Sequence, residues 1–491
     1  MVHVPENGTA ISPVLGMQRI GTSRVQCVCF TLARMLVEED ERASSAMTHQ
    51  EKGELMRLAK IISICLLGIW LFSCLGSTAS ADVVVGDVVD KSNWEKVEGF
   101  LPDALLGWLK KGEFEMKVGE LNYDPNEYRN PAAVLSLDAN EGKYALDAED
   151  MIIDKATGEL PVYIEGIPFP ERDMDLKDTQ AGAKIMYNKA YGTYVQGNEK
   201  FPFGTIWLSR DGGFEREVHC EWQQYPLDGY AGHKDQKNKE GYERFALIRV
   251  LAPFDIAGTN ILLMRYRGMK SDTTLAYVPA IRRVRRMSPA NRSDSFIGSD
   301  ACVDDAWCFD GKVTAFNWEL QRKQEALMPY LDENPQPLVK GKLDSWKTGK
   351  DMKQIEYGYQ DEKWQGAPWM PTNLVWVKRP AYVIKMTPKD PYYNYGTQHM
   401  WVDADINLMT TYKIIHDRAE KYWKVMWYSY SAFASPDGAM KLICGSSMVA
   451  VDDRTNHGTI IRFPEPNNTW TFYAKLDKNN YSLGGFQKLC K

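Results

Sequence analysis

The sequence predicts a mainly β fold with helical insertions, an α+β chain built on one large antiparallel sheet. Three observations carry that expectation. Segments such as "GTIWLSR", "ERFALIRVL", "TNILLMRYRG", "NLVWVKRPAYVIKMTP", "YWKVMWYSYSAF" and "GTIIRF" are rich in Val, Ile, Tyr, Trp and Thr, and Gly, Pro, Asn or Asp close each one off; this is the composition and punctuation of strands and turns. Successive strand segments are joined by short turns, which implies a meander in place of βαβ units. Finally, 44% of the 491 residues are hydrophobic and 12% aromatic, with Trp 15 and Tyr 25, enough apolar surface for a large core.

Along the chain, the first legible element is an export signal. A basic "MRLAK" is followed by the apolar run "IISICLLGIWLF" and by "STASA", with Ala79 and Ala81 in the A-x-A arrangement of a signal-peptidase site. The apolar run is shorter than the roughly 20 residues a transmembrane helix needs. Residues 56–81 are therefore expected to be a secretory signal peptide. Residues 1–55, upstream of it, are expected to be a mis-called or extended N-terminus without a fold, and residues 82–491 a single β-rich domain with an N-terminal helical segment. "LFSC" approximates a bacterial lipobox, so the alternative to a soluble periplasmic protein is a lipoprotein lipidated on Cys74 and held at the outer membrane.

In the mature region, "NWEKVEGFLPDALLGWLKKG" places Trp94, Val97, Phe100 and Leu101 at helical spacings. "NYDPNEYRNPAAV" reads as loop from its Pro and Asn. A second helix is expected in "DTQAGAKIMYNKAYGTYVQG", with Asp178 or Thr179 as its cap. A third is expected in "GKVTAFNWELQRKQEALMPY", where Phe316, Leu320 and Leu327 can share a helical face.

The formal net charge of -6 argues against a nucleic-acid binder, yet "YVPAIRRVRRMSP" concentrates Arg282, Arg283, Arg285 and Arg286. Read as one continuous strand, alternation puts arginines on both faces. At least one pair must then reach solvent, a carboxylate or an anionic ligand. Five cysteines lie beyond the leader, and Cys302 and Cys308 are spaced to close a short loop disulfide in an oxidising compartment. No nucleophile elbow, metalloprotease motif, P-loop or dinucleotide fingerprint occurs, so no catalytic residue, metal or cofactor is expected. The acidic pairs Asp304-Asp305 and Asp452-Asp453 read as turns. A hydrolase built on Asp452, Asp453 and His457 is the weakest alternative.

One stretch resembles a known superfamily. Residues 251–307 carry Pro253, Gly258-Thr259, Tyr277-Val278-Pro279 leading into the arginines, Ser295-Phe296 and Gly298-Ser299-Asp300, similar to the outer-membrane lipoprotein-sorting (LolA/LolB-like) superfamily. Through "GIPFP" and "FDGKVTAFNWEL" the chain most resembles its exported family thirteen-twenty-nine of the domains of unknown function. That resemblance implies an incomplete, strongly curved antiparallel barrel wrapped around helices, with an apolar cavity and no enzymatic chemistry. The implied function is a periplasmic carrier or chaperone for a lipid, lipoprotein or other hydrophobic compound, in peripheral contact with the membrane. The alternative is an accessory subunit of an outer-membrane protein or efflux-type exporter. On this reading the four arginines are head-group candidates, and Leu262, Met264, Met400 and Trp427 are candidates for the cavity lining.

Overall fold

The computed structural model describes residues 83–170, 174–405 and 409–490. The leader expected over residues 56–81, with Cys74, lies outside them. Among the described residues, thirteen strands carry the architecture. The first six, β1 (Glu199–Ser209), β2 (Gly213–Pro226), β3 (Tyr242–Ala252), β4 (Asn260–Tyr266), β5 (Thr273–Val278) and β6 (Arg283–Met287), form an antiparallel meander in sequence order. The other seven are β7 (Phe316–Tyr330), β8 (Val375–Pro388), β9 (Gln398–Asp403), β10 (Thr410–His416), β11 (Tyr422–Ala434), β12 (Lys441–Asp452) and β13 (His457–Arg462); they form a second meander. Pairing of β13 with β1 joins the two into one sheet.

The sheet is strongly curved. Register shifts at Trp207/Leu208, His219/Cys220, Leu320/Arg322 and Ser429/Tyr430 insert the extra residues that bend a strand and raise its twist. The second meander rolls far enough for the end of β7 to reach β11, where Tyr330 pairs with Tyr430 and the Leu331 N–H donates to the Tyr430 carbonyl at 2.8 Å. The first meander ends at β6, whose only strand partner among the described residues is β5. The barrel is therefore incomplete, as expected.

Among the described residues four α-helices accompany the sheet: α1 (Asp103–Lys111), α2 (Pro131–Asn140), α3 (Ala181–Tyr194) and α4 (Leu483–Leu489). Helix α3 is buried around most of its circumference, the mark of a helix enclosed by other elements. Gly182 lets it approach β7, since a Cβ there would lie 3.1 Å from Trp318 and 3.3 Å from the Glu319 backbone. Helix α1 covers the opposite face, with Trp108 5.9 Å from Trp427 and 6.2 Å from Trp369.

Several local expectations are corrected. "GKVTAFNWELQRKQEALMPY" is mostly strand β7: Phe316, Trp318 and Leu320 are buried while Asn317 and Glu319 are exposed, a period of two that only the partner strand β8 makes decisive. The expected entry helix is split by Pro102 into a 3-10 turn, Trp94–Val97, and α1. The loop expected in "NYDPNEYRNPAAV" contains the start of α2, where the Asn130 side chain accepts from the Ala132 N–H and Pro131 occupies the first turn. The arginine stretch is a hairpin instead of one strand. Val278 and Arg283 pair across a turn in which Arg282 takes φ 50°.

Candidate functional site

Cross-strand partners share a face of a sheet, so the pairing register identifies what lies on each side. One row runs Trp222, Ile248, Ile261, Ala276, Arg285 across β2 to β6. Its neighbour runs Gln224, Ala246, Leu263, Thr274, Met287. On this face the sheet, together with residues 296–310, encloses an apolar cavity of about 90 Å³ whose walls include Phe201, Trp222, Ile261, Leu263, Trp307 and Phe463. This is below the roughly 150 Å³ that admits a benzene ring. As it stands the cavity holds a few methylene groups, not an acyl chain.

Trp307 determines that limit. Its ring lies 5.9 Å from Phe201, 6.2 Å from Trp222 and 5.5 Å from Phe463, and it also walls a second cavity of about 40 Å³ beside Lys189, Gln196 and Glu199. Trp307 and Cys308 both take left-handed backbone, φ 56° and 60°, a conformation costly for residues other than glycine. The strained segment thus places an indole, beside Tyr428, in the wall of both cavities. Glu199 is buried and has no ion-pair partner among the described residues; burial pushes its carboxyl up to about 8, against a weaker pull from Arg244.

Four aspartates fix the segment across the concave face. The Asp300 carboxylate accepts from Thr459 Oγ1 at 2.7 Å and meets His457 Nδ1 at 2.7 Å, while Lys424 Nζ donates to the Asp300 carbonyl at 2.8 Å. Asp304 pairs with Arg292 at 3.1 Å and accepts from the Tyr393 hydroxyl; burial raises its carboxyl to about 6 against the pull of Arg292. Asp305 accepts from Lys413 Nζ at 2.6 Å, Tyr395 Oη at 2.9 Å and the Cys302 N–H at 2.8 Å. Burial opposes its ionisation, yet Lys413 and the amide hold its carboxyl below the usual range. Asp310 pairs with Arg244 and lies 3.6 Å from Arg265.

These four aspartates are thus matched to partners elsewhere in the chain, and the clustered arginines are left over. Arg282, Arg283, Arg285 and Arg286 are all exposed, and none forms an ion pair among the described residues; Arg286 donates to Thr273 Oγ1 at 3.0 Å. Arg283 and Arg285 lie on the cavity face and Arg286 on the other. The row from Trp222 leads across three strands of apolar side chains to Arg285, about 19 Å at the usual strand spacing.

The expected lining is one residue out of register. Leu262 and Met264 face away, into a smaller core with Tyr225, Phe245, Tyr481 and Phe486, while their neighbours Ile261 and Leu263 line the cavity. The cavity-facing positions share their face of the strand with Arg265 and Arg267. Both arginines are nearly buried and are neutralised by Asp272 and Asp310, and by Asp228, respectively. Trp427 also faces away, under Trp108 of α1, and Tyr428 is the cavity residue on that strand. Met400 is fully buried core, paired with Lys413 and Ile384.

Cys302 and Cys308 are separate buried thiols, not a disulfide. The 3-10 turns of residues 303–308 direct Cys302 Sγ to within 3.9 Å of Tyr393 Oη, and burial raises the Cys308 thiol to about 12. The acidic pair Asp304-Asp305, read as turn residues, is buried and bonded. Asp452 and His457 stand opposite each other in the β12–β13 pairing, but their side chains are engaged elsewhere: His457 meets Asp300 and Glu215, whereas Asp452 accepts from Trp423 Nε1 at 2.6 Å and Asp453 from Trp108 Nε1 at 3.2 Å.

The family described as "Protein of unknown function (DUF1329)" matches residues 88–485. No curated protein matches the chain. Among solved structures, the chain is similar to a domain provisionally described as an outer membrane lipoprotein-sorting protein from Vibrio parahaemolyticus, with TM-score 0.42, 15% identity, and coverage of 64% of this chain and 100% of that one. A DUF1329 family protein from Desulfovibrio piger gives TM-score 0.40 and 17% identity, covering 62% and 98%. A LolA superfamily protein from Nitrosomonas europaea gives 0.34 and 11%, also covering 62% and 98%.

Proposed function

Since the chain belongs to the DUF1329 family, whose description assigns no activity, we propose its function from the site: an exported, single-domain carrier or chaperone that takes the apolar part of a lipid, lipoprotein or other hydrophobic compound into the concave cavity, moving it toward or from the outer membrane. The observation that carries this reading is the aromatic-walled apolar cavity continuous in register with the free cation Arg285. Burial of each methylene contributes about 0.8 kcal/mol, so a ligand that displaces Trp307 and extends along the row gains with every carbon. The non-covalent ligand lies with its anionic head at Arg285 or Arg283 and its tail beneath residues 300–307.

Extraction of the purified protein followed by mass spectrometry tests this directly, and a hydrophobic species recovered in near-stoichiometric amount is expected. Ala246→Leu adds three carbons, less than the ring the cavity excludes, and fills much of it. It is expected to weaken binding of an apolar fluorescent probe by roughly fiftyfold, the worth of about three methylenes, with the melting temperature kept. Unchanged probe binding in this variant sinks the reading. Arg285→Glu is expected to weaken a fatty-acid probe about tenfold and a fatty-alcohol probe hardly at all, because the side chain is exposed and structurally unpaired. Equal loss for both probes assigns Arg285 a purely structural role.

A further inference from the structure

Two turns sit side by side at one end of the first meander. The β3–β4 connection, residues 253–258, and the β5–β6 turn, residues 279–282, follow from the pairing of Asn260 with Tyr277 and of Val278 with Arg283. They touch: a Cβ on Gly258 would lie 3.3 Å from Pro279. The first turn carries Phe254, 97% exposed and the most exposed large apolar side chain among the described residues, and Ile281 and Val278 are exposed on the second. The second turn and the β6 strand that leaves it carry Arg282, Arg283, Arg285 and Arg286, all exposed and without a carboxylate partner among the described residues. Asp255 is the single carboxylate on the two turns.

Isolated exposed hydrophobics are ordinary, but a fully exposed phenylalanine on a turn next to a hairpin with four free arginines is a specific combination. An aqueous surface has no use for the aromatic ring, and an acidic protein surface would have to supply both an apolar pocket and several carboxylates. An anionic bilayer supplies both chemistries over any area, since phosphates meet the guanidiniums while the ring enters the interfacial layer. The whole sequence carries a net charge of -6, so an evenly charged molecule would be repelled by such a surface. The concentration of cations at one tip overcomes this and fixes the orientation of approach.

We propose that residues 253–258 and 279–282 form a docking tip for an anionic lipid surface, with Phe254 and Ile281 inserted at the headgroup level and the hairpin arginines on lipid phosphates. Docked in this way, the β5–β6 edge that ends the apolar row faces the bilayer. The inference stands on the tip alone and does not depend on what the cavity binds.

Co-sedimentation tests it, with the protein purified in the form the expressing cell processes. Vesicles of equal parts phosphatidylcholine and phosphatidylglycerol are compared with vesicles of phosphatidylcholine alone. Binding is expected to the anionic vesicles, to weaken with added salt, and to be marginal on the neutral ones. Arg282→Ala/Arg286→Ala is expected to lower it about thirtyfold and Phe254→Ser roughly tenfold. Both variants keep the wild-type melting temperature and cavity-probe affinity, because neither site packs in the core. Failure of the wild type to bind, equal binding to both vesicle types, or wild-type binding by either variant overturns the proposal; indifference to phosphatidylglycerol points the tip toward a protein partner. Vesicle binding without probe binding leaves the docking tip standing and rejects the carrier reading alone.

Discussion

Lys413→Ala is expected to lower the folding stability by about 3–5 kcal/mol. Lys413 and Asp305 are fully buried and 2.6 Å apart, and the Tyr395 hydroxyl and Cys302 N–H complete the carboxylate's shell. Removing the ammonium leaves an ionised or newly protonated group in a site built for the pair, and the loss reflects that orphaned carboxylate more than the worth of the ion pair itself. Urea denaturation should show a lower midpoint with an unchanged slope. The double variant Lys413→Ala/Asp305→Ala should recover part of the loss, since it removes the stranded charge. A single variant within about 1 kcal/mol of wild type would mean that residues 300–310 are not held by this pair. The consequence reaches the site, because the same segment carries Trp307 into the cavity.

The second large effect concerns Glu199, whose carboxyl is pushed up by burial to about 8 in the folded state against a weaker pull from Arg244. In the unfolded chain the same group titrates near 4.3. The folded state therefore retains a proton that the unfolded state releases. Stability from this group is complete below about pH 4 and is lost as pH rises through about 8. Glu199→Gln keeps the shape and abolishes the titration. Relative to wild type, the variant is expected to gain on the order of 3–5 kcal/mol between acidic and mildly alkaline pH, read as diverging melting temperatures. Parallel stability–pH curves for the two proteins would refute the assignment.

Much of the sheet was legible in the chain because strand chemistry is local. "GTIWLSR", "ERFALIRVL" and "GTIIRF" lie within or across strands β1, β3 and β13, and α3 falls within the expected helical segment, although Gln180, without a side-chain cap bond, precedes its first turn in place of Asp178 or Thr179. Segment 316–330 was misread for a physical reason: Phe316, Leu320 and Leu327 fit a period near 3.6 as well as Phe316, Trp318 and Leu320 fit a period of two. The fourteen-residue partner strand β8 makes the choice. The arginine hairpin was hidden in the same way. Pro279 was visible, but whether the chain turns there depends on β5 and β6 pairing with each other.

The site was less legible than the fold. Alternation sorts "ILLMRY" into two faces but cannot say which one is enclosed, and Arg265 shares a face with Ile261 and Leu263. Only Asp272 and Asp310, brought in from elsewhere in the chain, neutralise Arg265 and let Ile261 and Leu263 line a cavity. Trp307 carried no local signal of its role, since its importance comes from aromatic neighbours on β1, β2 and β13's far end.

By itself, the sequence determined the antiparallel class, the presence of helix α3, the cationic cluster and the absence of the sought catalytic motifs, because propensity, turn chemistry and motif spacing act between neighbours in the chain. The tertiary structure alone decided which strand face encloses the cavity, that Asp300, Asp304, Asp305 and Asp310 are used up within the fold, and that the four clustered arginines are not. Those outcomes depend on charge pairing and burial between residues far apart in sequence, whose energies exist only once the sheet has curled.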